Sequence, residues 1–177
     1  MKTILQVEDD PNDVFFLHKA MKKAGVANPI QVASDGQEAI DYLQGNGKFF
    51  DRSVFPFPGL VLLDVKLPYV MGLEVLKWIR NQPWTHLIVI MLSASAVETD
   101  IATAYRLGAN AFLSKPSEAR QLEDMVKAIK DFWLTHNAVA QNSGMEEMVS
   151  LGGLRSLGGS MIGRAMEGTP CDREARS

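Results

Sequence analysis

The chain has 177 residues with 18 basic and 21 acidic side chains, a formal charge of −3, and its signs are mixed along the sequence. That excludes a basic stripe for nucleic acid and a polybasic patch for a membrane surface. One cysteine, Cys171, excludes an internal disulfide, and no cluster of Cys and His has zinc-ligand spacing, which fits a reducing cytoplasm.

The start MKTILQVEDD carries too short an apolar stretch for a signal peptide, and no apolar run nears membrane-spanning length. A soluble, cytoplasmic protein is expected, with one well-buried domain and about forty residues to spare. Taken in chain order, short apolar runs alternate with stretches of helical period, the pattern of a parallel sheet with helices on its faces. The runs are TILQV (Thr3 to Val7), IQVA (Ile30 to Ala33), LVLLD (Leu60 to Asp64), LIVIML (Leu87 to Leu92) and AFLS (Ala111 to Ser114).

Between the first two, Val14, Leu17, Met21 and Ala24 recur at helical spacing behind DDPND, whose proline and acids suit a helix start, and Gly25 ends the helix. Further helices are expected over 37–44, 73–80 and 97–107, the last stopped by Gly108. Leu122, Met125, Val126, Ile129, Phe132 and Trp133 mark one apolar face of a fifth helix. Trp133 and Phe132 should therefore pack into the core, while His18, His86 and His136 should be solvated.

Two segments break the rhythm. GNGKFFDRSVFPFPG, from Gly45 to Gly59, carries four phenylalanines and is expected to pack in part over the sheet edge. From Ala138 onward the chain is glycine-rich without a sustained apolar period, and it reads as a disordered tail.

The unusual polar residues fall at the carboxyl ends of the strands, where open parallel sheets bind ligands. Glu8 and Asp9 follow the first strand, Asp64 closes the third, Ser93 follows the fourth, and Lys115 with Pro116 follows the fifth. In the strand order 2-1-3-4-5, the first and third strands are neighbours, so Glu8, Asp9 and Asp64 converge. Three carboxylates in a small site require a proton or a hard divalent cation, and an all-oxygen site suits Mg²⁺. A cation, the Lys115 ammonium and the Ser93 hydroxyl together could hold a phosphoryl group, with Asp64 as nucleophile.

ILQVEDD, VLLDVKLP, MLSAS and FLSKP, in this order and spacing, resemble the receiver domain of two-component response regulators. VEDDPNDVFFLHKAMKKAG and the long stretch before the third strand are similar to small single-domain regulators of the phytochrome-associated type. The resemblance implies a flavodoxin-like, doubly wound α/β fold with a five-stranded parallel sheet and five helices. It assigns residues 1–137 to a receiver domain and 138–177 to the tail.

Carried over residue by residue, it implies Mg²⁺ binding by Glu8, Asp9, Asp64 and the backbone carbonyl of Lys66, with Asp10 only shaping the turn. It implies phosphorylation of Asp64, assisted by Lys115 and by Ser93, and a switch in which Ser93 and Phe112 move and reshape the face of helix four, strand five and helix five. The Lys115–Pro116 bond is cis in most of the family. The expected donor is a histidine kinase, phytochrome-like or hybrid, and the switching face leaves room for a homodimer, without nucleic acid or membrane as partner. The chain would accept a phosphoryl group without being a turnover enzyme.

Two rival functions stand beside this one. A receiver fold can serve as a phosphorylation-independent scaffold. An aspartate-nucleophile phosphatase would need a second aspartate two positions after Asp64, where this sequence has Lys66.

Overall fold

The computed structural model describes residues 2–84, 86–95 and 97–137. The tail expected over 138–177 lies outside the described residues. Five parallel strands form one sheet in the order β2-β1-β3-β4-β5, with β1 at Thr3–Val7, β2 at Ile30–Ala33, β3 at Pro58–Asp64, β4 at Ile88–Ser93 and β5 at Ala111–Ser114. The helices are α1 (Pro11–Lys23), α2 (Gly36–Gln44), α3 (Gly72–Arg80), α4 (Glu98–Arg106) and α5 (Ala119–Ile129). The flavodoxin-like fold expected from the sequence is the fold observed.

Strand alternation divides the core in two. Leu5, Val7, Val61, Leu63, Val89 and Met91 face a cluster that takes in Tyr42 and Leu43 of α2 and Val75, Leu76 and Ile79 of α3. Ile4, Leu60, Leu62, Ile90 and Leu92 face the opposite way, onto Leu17 and Met21 of α1 and Val126 and Ile129 of α5. Because both faces of the central strands are covered, these strands read as unbroken apolar runs. That is why β1, β2 and β5 fall where the sequence places them, and β3 and β4 differ only at their ends.

Gly25 and Gly108, both at positive φ, close α1 and α4. After Gly25 the Val26 N–H returns to the Met21 carbonyl at 2.9 Å, the closing bond of a Schellman turn. Asp10 caps α1 by accepting the Asn12 N–H at 2.8 Å, with Pro11 at the first helical position.

The phenylalanine-rich segment packs, but against α2. Phe49 is buried and meets Tyr42 and Phe55 edge to face, with ring centroids 5.1 Å apart in each pair. The Tyr42 hydroxyl donates to the Pro56 carbonyl at 2.7 Å, and the Arg52 guanidinium donates to the carbonyls of Tyr42, Leu43 and Phe55. Phe57 meets Trp84 edge to face at 5.0 Å, whereas Phe50 is 81% exposed.

Three expectations are corrected. Phe132 is 57% exposed rather than part of the core. The chain leaves α5 as a π-helical segment, Lys130–His136, and the wider winding turns Phe132 outward while Trp133 stays packed. The His18 Nε2 is buried with no hydrogen-bond partner among the described residues, not solvated. No peptide bond among the described residues is cis, so Lys115–Pro116 adopts the trans form, the commoner isomer for bonds to proline.

Candidate functional site

The strand ladders deliver the polar residues. The Glu8 N–H bonds to the Ala33 carbonyl at 3.0 Å, which extends the β1–β2 ladder by one residue. The Lys115 N–H does the same from β5 to the Ser93 carbonyl of β4 at 2.7 Å. Asp64 ends β3 opposite Leu92, and the Val65 N–H bonds to the Leu92 carbonyl at 3.0 Å. Side chains that follow neighbouring strands therefore meet at one edge of the sheet.

Glu8, Asp9 and Asp64 each offer a carboxylate oxygen, and these atoms lie within 4.8 Å of one another. Glu8 and Asp64 are buried, while Asp9 is exposed. The donor set is entirely hard oxygen, and its open side at Asp9 leaves access for water, so it fits a divalent cation such as Mg²⁺. The Lys66 side chain is exposed, and its backbone N–H lies 3.4 Å from Asp64 Oδ1.

Lys115 holds the cluster together. Its ammonium bonds to Glu8 Oε2, to Asp13 Oδ2 at 2.9 Å and to Asp64 Oδ2 at 3.0 Å. Burial works against the ammonium, but the bonds to Glu8, Asp13 and Asp64 outweigh it and hold its pKa above the ordinary lysine range. Burial also pushes Glu8 up to about 7, although Lys115 pulls the other way. A carboxylate so reluctant to ionise alone is one that a bound cation would stabilise.

Ser93 is buried at the end of β4. Its hydroxyl donates to the Ser95 carbonyl at 2.7 Å and accepts the Ser95 N–H at 3.2 Å, so it is engaged with its own loop. Phe112, on β5, is half-buried against the α2–α3 side of the core. Its backbone N–H donates to the Tyr105 hydroxyl at 3.3 Å.

Sequence reasoning placed Glu8, Asp9, Asp64 and Lys115 together, and the structure brings them together. It missed Asp13, whose place in DDPND reads only as a helix-start acid. It also passed over Tyr105, which no motif marks.

A doubly wound sheet of this order, with carboxylates and a lysine at its carboxyl edge, defines an α/β domain of the receiver class. The family described as "Response regulator receiver domain" matches residues 4–127, and the chain belongs to that family. Among curated relatives, the response regulator Rcp1 of Synechocystis is 34% identical over 134 residues, which cover 75% of this chain and 89% of Rcp1.

Solved structures agree. The Mn²⁺-bound form of Rcp1 superposes with a TM-score of 0.71 at 32% identity, covering 80% of this chain and all of the other. The phosphorylated cyanobacterial phytochrome response regulator RcpA gives 0.73 at 33%, covering 79% and 99%. The bacteriophytochrome response regulator AtBRR gives 0.61 at 40%, covering 78% and 99%. No helix among the described residues is long and apolar enough to cross a membrane.

Proposed function

We propose that this protein is a phospho-accepting response regulator of the phytochrome-associated type, working in the cytoplasm, in which Asp64 takes a phosphoryl group from a phosphohistidine of a histidine kinase. The observation that carries the reading is the Lys115 ammonium 3.0 Å from Asp64 Oδ2, beside three carboxylates that share a space 4.8 Å across. Similarity to a Mn²⁺-bound regulator and to a phosphorylated one supports it.

In the transfer, a carboxylate oxygen of Asp64 attacks phosphorus, the P–N bond to the donor imidazole breaks, and an acyl phosphate forms. The departing imidazole keeps the electron pair and takes a proton from solvent. Glu8, Asp9, Asp64 and the Lys66 carbonyl would hold a divalent ion, Mg²⁺ in this reading, which would supply positive charge to the phosphoryl oxygens. Lys115, bonded to Glu8, Asp13 and Asp64, contributes the second positive charge, already partly desolvated and fixed in place. The chain binds one phosphoryl group per cycle and is an acceptor rather than a turnover enzyme.

The new phosphoryl oxygens compete with the Ser95 carbonyl for the Ser93 hydroxyl. When Ser93 turns toward them, the ground beside β5 is vacated, and Phe112 can repack from its half-buried position. The face formed by α4, β5 and α5 then changes its balance of conformations, by as much as the phosphate contacts favour one state over the other. A downstream partner, or a second copy of the chain, would read that face.

The test is incubation with acetyl phosphate and Mg²⁺ followed by intact-mass measurement. One added phosphate is expected, and none in Asp64→Asn. Absence of uptake by the wild type would favour a scaffold, and continuous turnover of p-nitrophenyl phosphate would favour a phosphatase.

A further inference from the structure

The Lys115 ammonium has three donor hydrogens, and three carboxylates take them: Glu8 Oε2, Asp13 Oδ2 at 2.9 Å and Asp64 Oδ2 at 3.0 Å. Glu8 and Asp64 belong to the oxygen cluster that fits a divalent cation, and Asp13 does not. Any ion bound there shares the charge of Glu8 and Asp64 and repels the ammonium, which loosens two of its three bonds. The bond to Asp13 is the one that such an ion leaves unshared.

An acid in the first turn of α1 has a plainer explanation, attraction to the positive end of the helix. That attraction needs no particular partner. It leaves unexplained why the carboxylate meets a lysine 102 positions further on, whose side chain is only 14% exposed. A fourth acid beside a site for an anionic phosphoryl group also works against binding unless it does something else there. At 42% exposure the Asp13 carboxylate is screened by water, so its repulsion of a phosphoryl group is weak, whereas its direct bond to a largely buried ammonium is not.

We propose that Asp13 is a positioning residue for phosphoryl transfer, the tether that keeps the Lys115 ammonium beside Asp64 once a cation shares Glu8 and Asp64. The inference rests on the phosphoacceptor reading. Asp13 stands on α1, whose start is fixed by Pro11 and the Asp10 cap, so it holds the lysine from a rigid element. In transfer from acetyl phosphate, a carboxylate oxygen of Asp64 attacks phosphorus, the P–O bond to the acetyl group breaks, and acetate leaves with the electron pair. The negative charge on the phosphoryl oxygens in that step is met by an ammonium already in place. An untethered lysine must first be brought there.

The test is phosphate uptake by the full chain from acetyl phosphate, followed by intact mass, with Mg²⁺ saturating for each variant so that differences in ion affinity drop out. Asp13→Ala should take up phosphate about tenfold more slowly than the wild type. Asp13→Glu, which keeps a carboxylate within reach of the ammonium, should recover most of the rate. In Lys115→Ala, already slow, adding Asp13→Ala should cause no further loss, because the tether has nothing to hold. With Mg²⁺ bound and no phosphate donor, the Lys115 ammonium should give a protected nitrogen–proton NMR signal in the wild type and in Asp13→Glu, and lose it in Asp13→Ala. A wild type that takes up no phosphate overturns the phosphoacceptor reading and this one with it. A full or faster rate in Asp13→Ala, no recovery in Asp13→Glu, multiplied losses in the double variant, or an ammonium signal unchanged by Asp13→Ala would each overturn the tether alone.

Discussion

The α-carbon of Gly72 lies so close to the backbone carbonyl of Asp64 that a Cβ added there would stand 1.8 Å from that oxygen. The Gly72 N–H also bonds to the Val65 carbonyl at 3.1 Å. The first residue of α3 is thus fastened to the point where β3 delivers the aspartate. The obstacle is backbone, which cannot swing aside as a long side chain can, so Gly72→Ala must push α3 and the end of β3 apart. A loss of about 2–4 kcal/mol is expected in urea unfolding. Phosphate uptake from acetyl phosphate should slow by about tenfold or more in the remaining folded protein, because Asp64 is displaced. An unchanged unfolding midpoint would show that the contact is slack.

Lys115 and Asp13 make a pair of opposite predictions for divalent-ion binding. The ammonium occupies Glu8 and Asp64, two of the carboxylates that a cation would need. Lys115→Ala should therefore bind Mg²⁺ several-fold more tightly than the wild type, on the order of the weakening expected when a neighbouring like charge is present, yet accept phosphate much more slowly. Asp13 draws the same ammonium from the side, at 2.9 Å. In Asp13→Asn the lysine is left to the other two acids, and Mg²⁺ affinity should fall, by about threefold to tenfold. Calorimetric titration separates the two, and a shift in the same direction for both variants would contradict the competition.

The contrast between these two residues shows what the sequence discloses. Lys115 was legible because a lysine before proline, directly after an apolar strand, has a place in the sheet that the strand order fixes. Asp13 was not, because its partner is 102 residues away and a helix-start acid explains it locally without remainder. Gln6 left a visible mark, a polar residue inside a strand buried on both sides, but only the fold shows that its amide has no hydrogen-bond partner among the described residues. Phe132 was misplaced for a different reason: the 3.6-residue period holds until Ile129, and no local pattern records the change to π winding beyond it.

Adjacent phenylalanines in the segment before β3 should behave very differently. Phe49 is 4% exposed and lies edge-on to both Tyr42 and Phe55, while Phe50 is 81% exposed. Phe49→Ala removes a buried ring and should cost about 3–5 kcal/mol, whereas Phe50→Ala should stay within about 0.5 kcal/mol of the wild type. Tyr42→Phe, which removes only the hydroxyl bond to the Pro56 carbonyl, should cost about 1 kcal/mol and leave the carbonyl to find solvent. Denaturant midpoints at constant m-value decide each case. Equal losses for the two phenylalanines would mean that the segment is not packed on α2 as described.

His18 supplies a pH dependence whose sign follows from its burial. Desolvation lowers its pKa below the usual 6.5, so the unfolded chain holds more protons than the folded one in the window beneath that value. Stability must then rise with pH through this window: the contribution is complete above 6.5 and is lost as the pH falls toward the folded-state pKa. Glu8 runs the other way, since a carboxyl pushed up to about 7 makes the folded form the better proton binder. The wild-type curve is therefore a sum of opposing slopes. Subtracting the curve of His18→Leu, which leaves Glu8 untouched, isolates the histidine. The difference should be flat above pH ~7 and fall on acidification below about 6.5. A difference that stays flat down to pH ~5, where an unshifted imidazole would be charged in both states, would mean that water reaches Nε2.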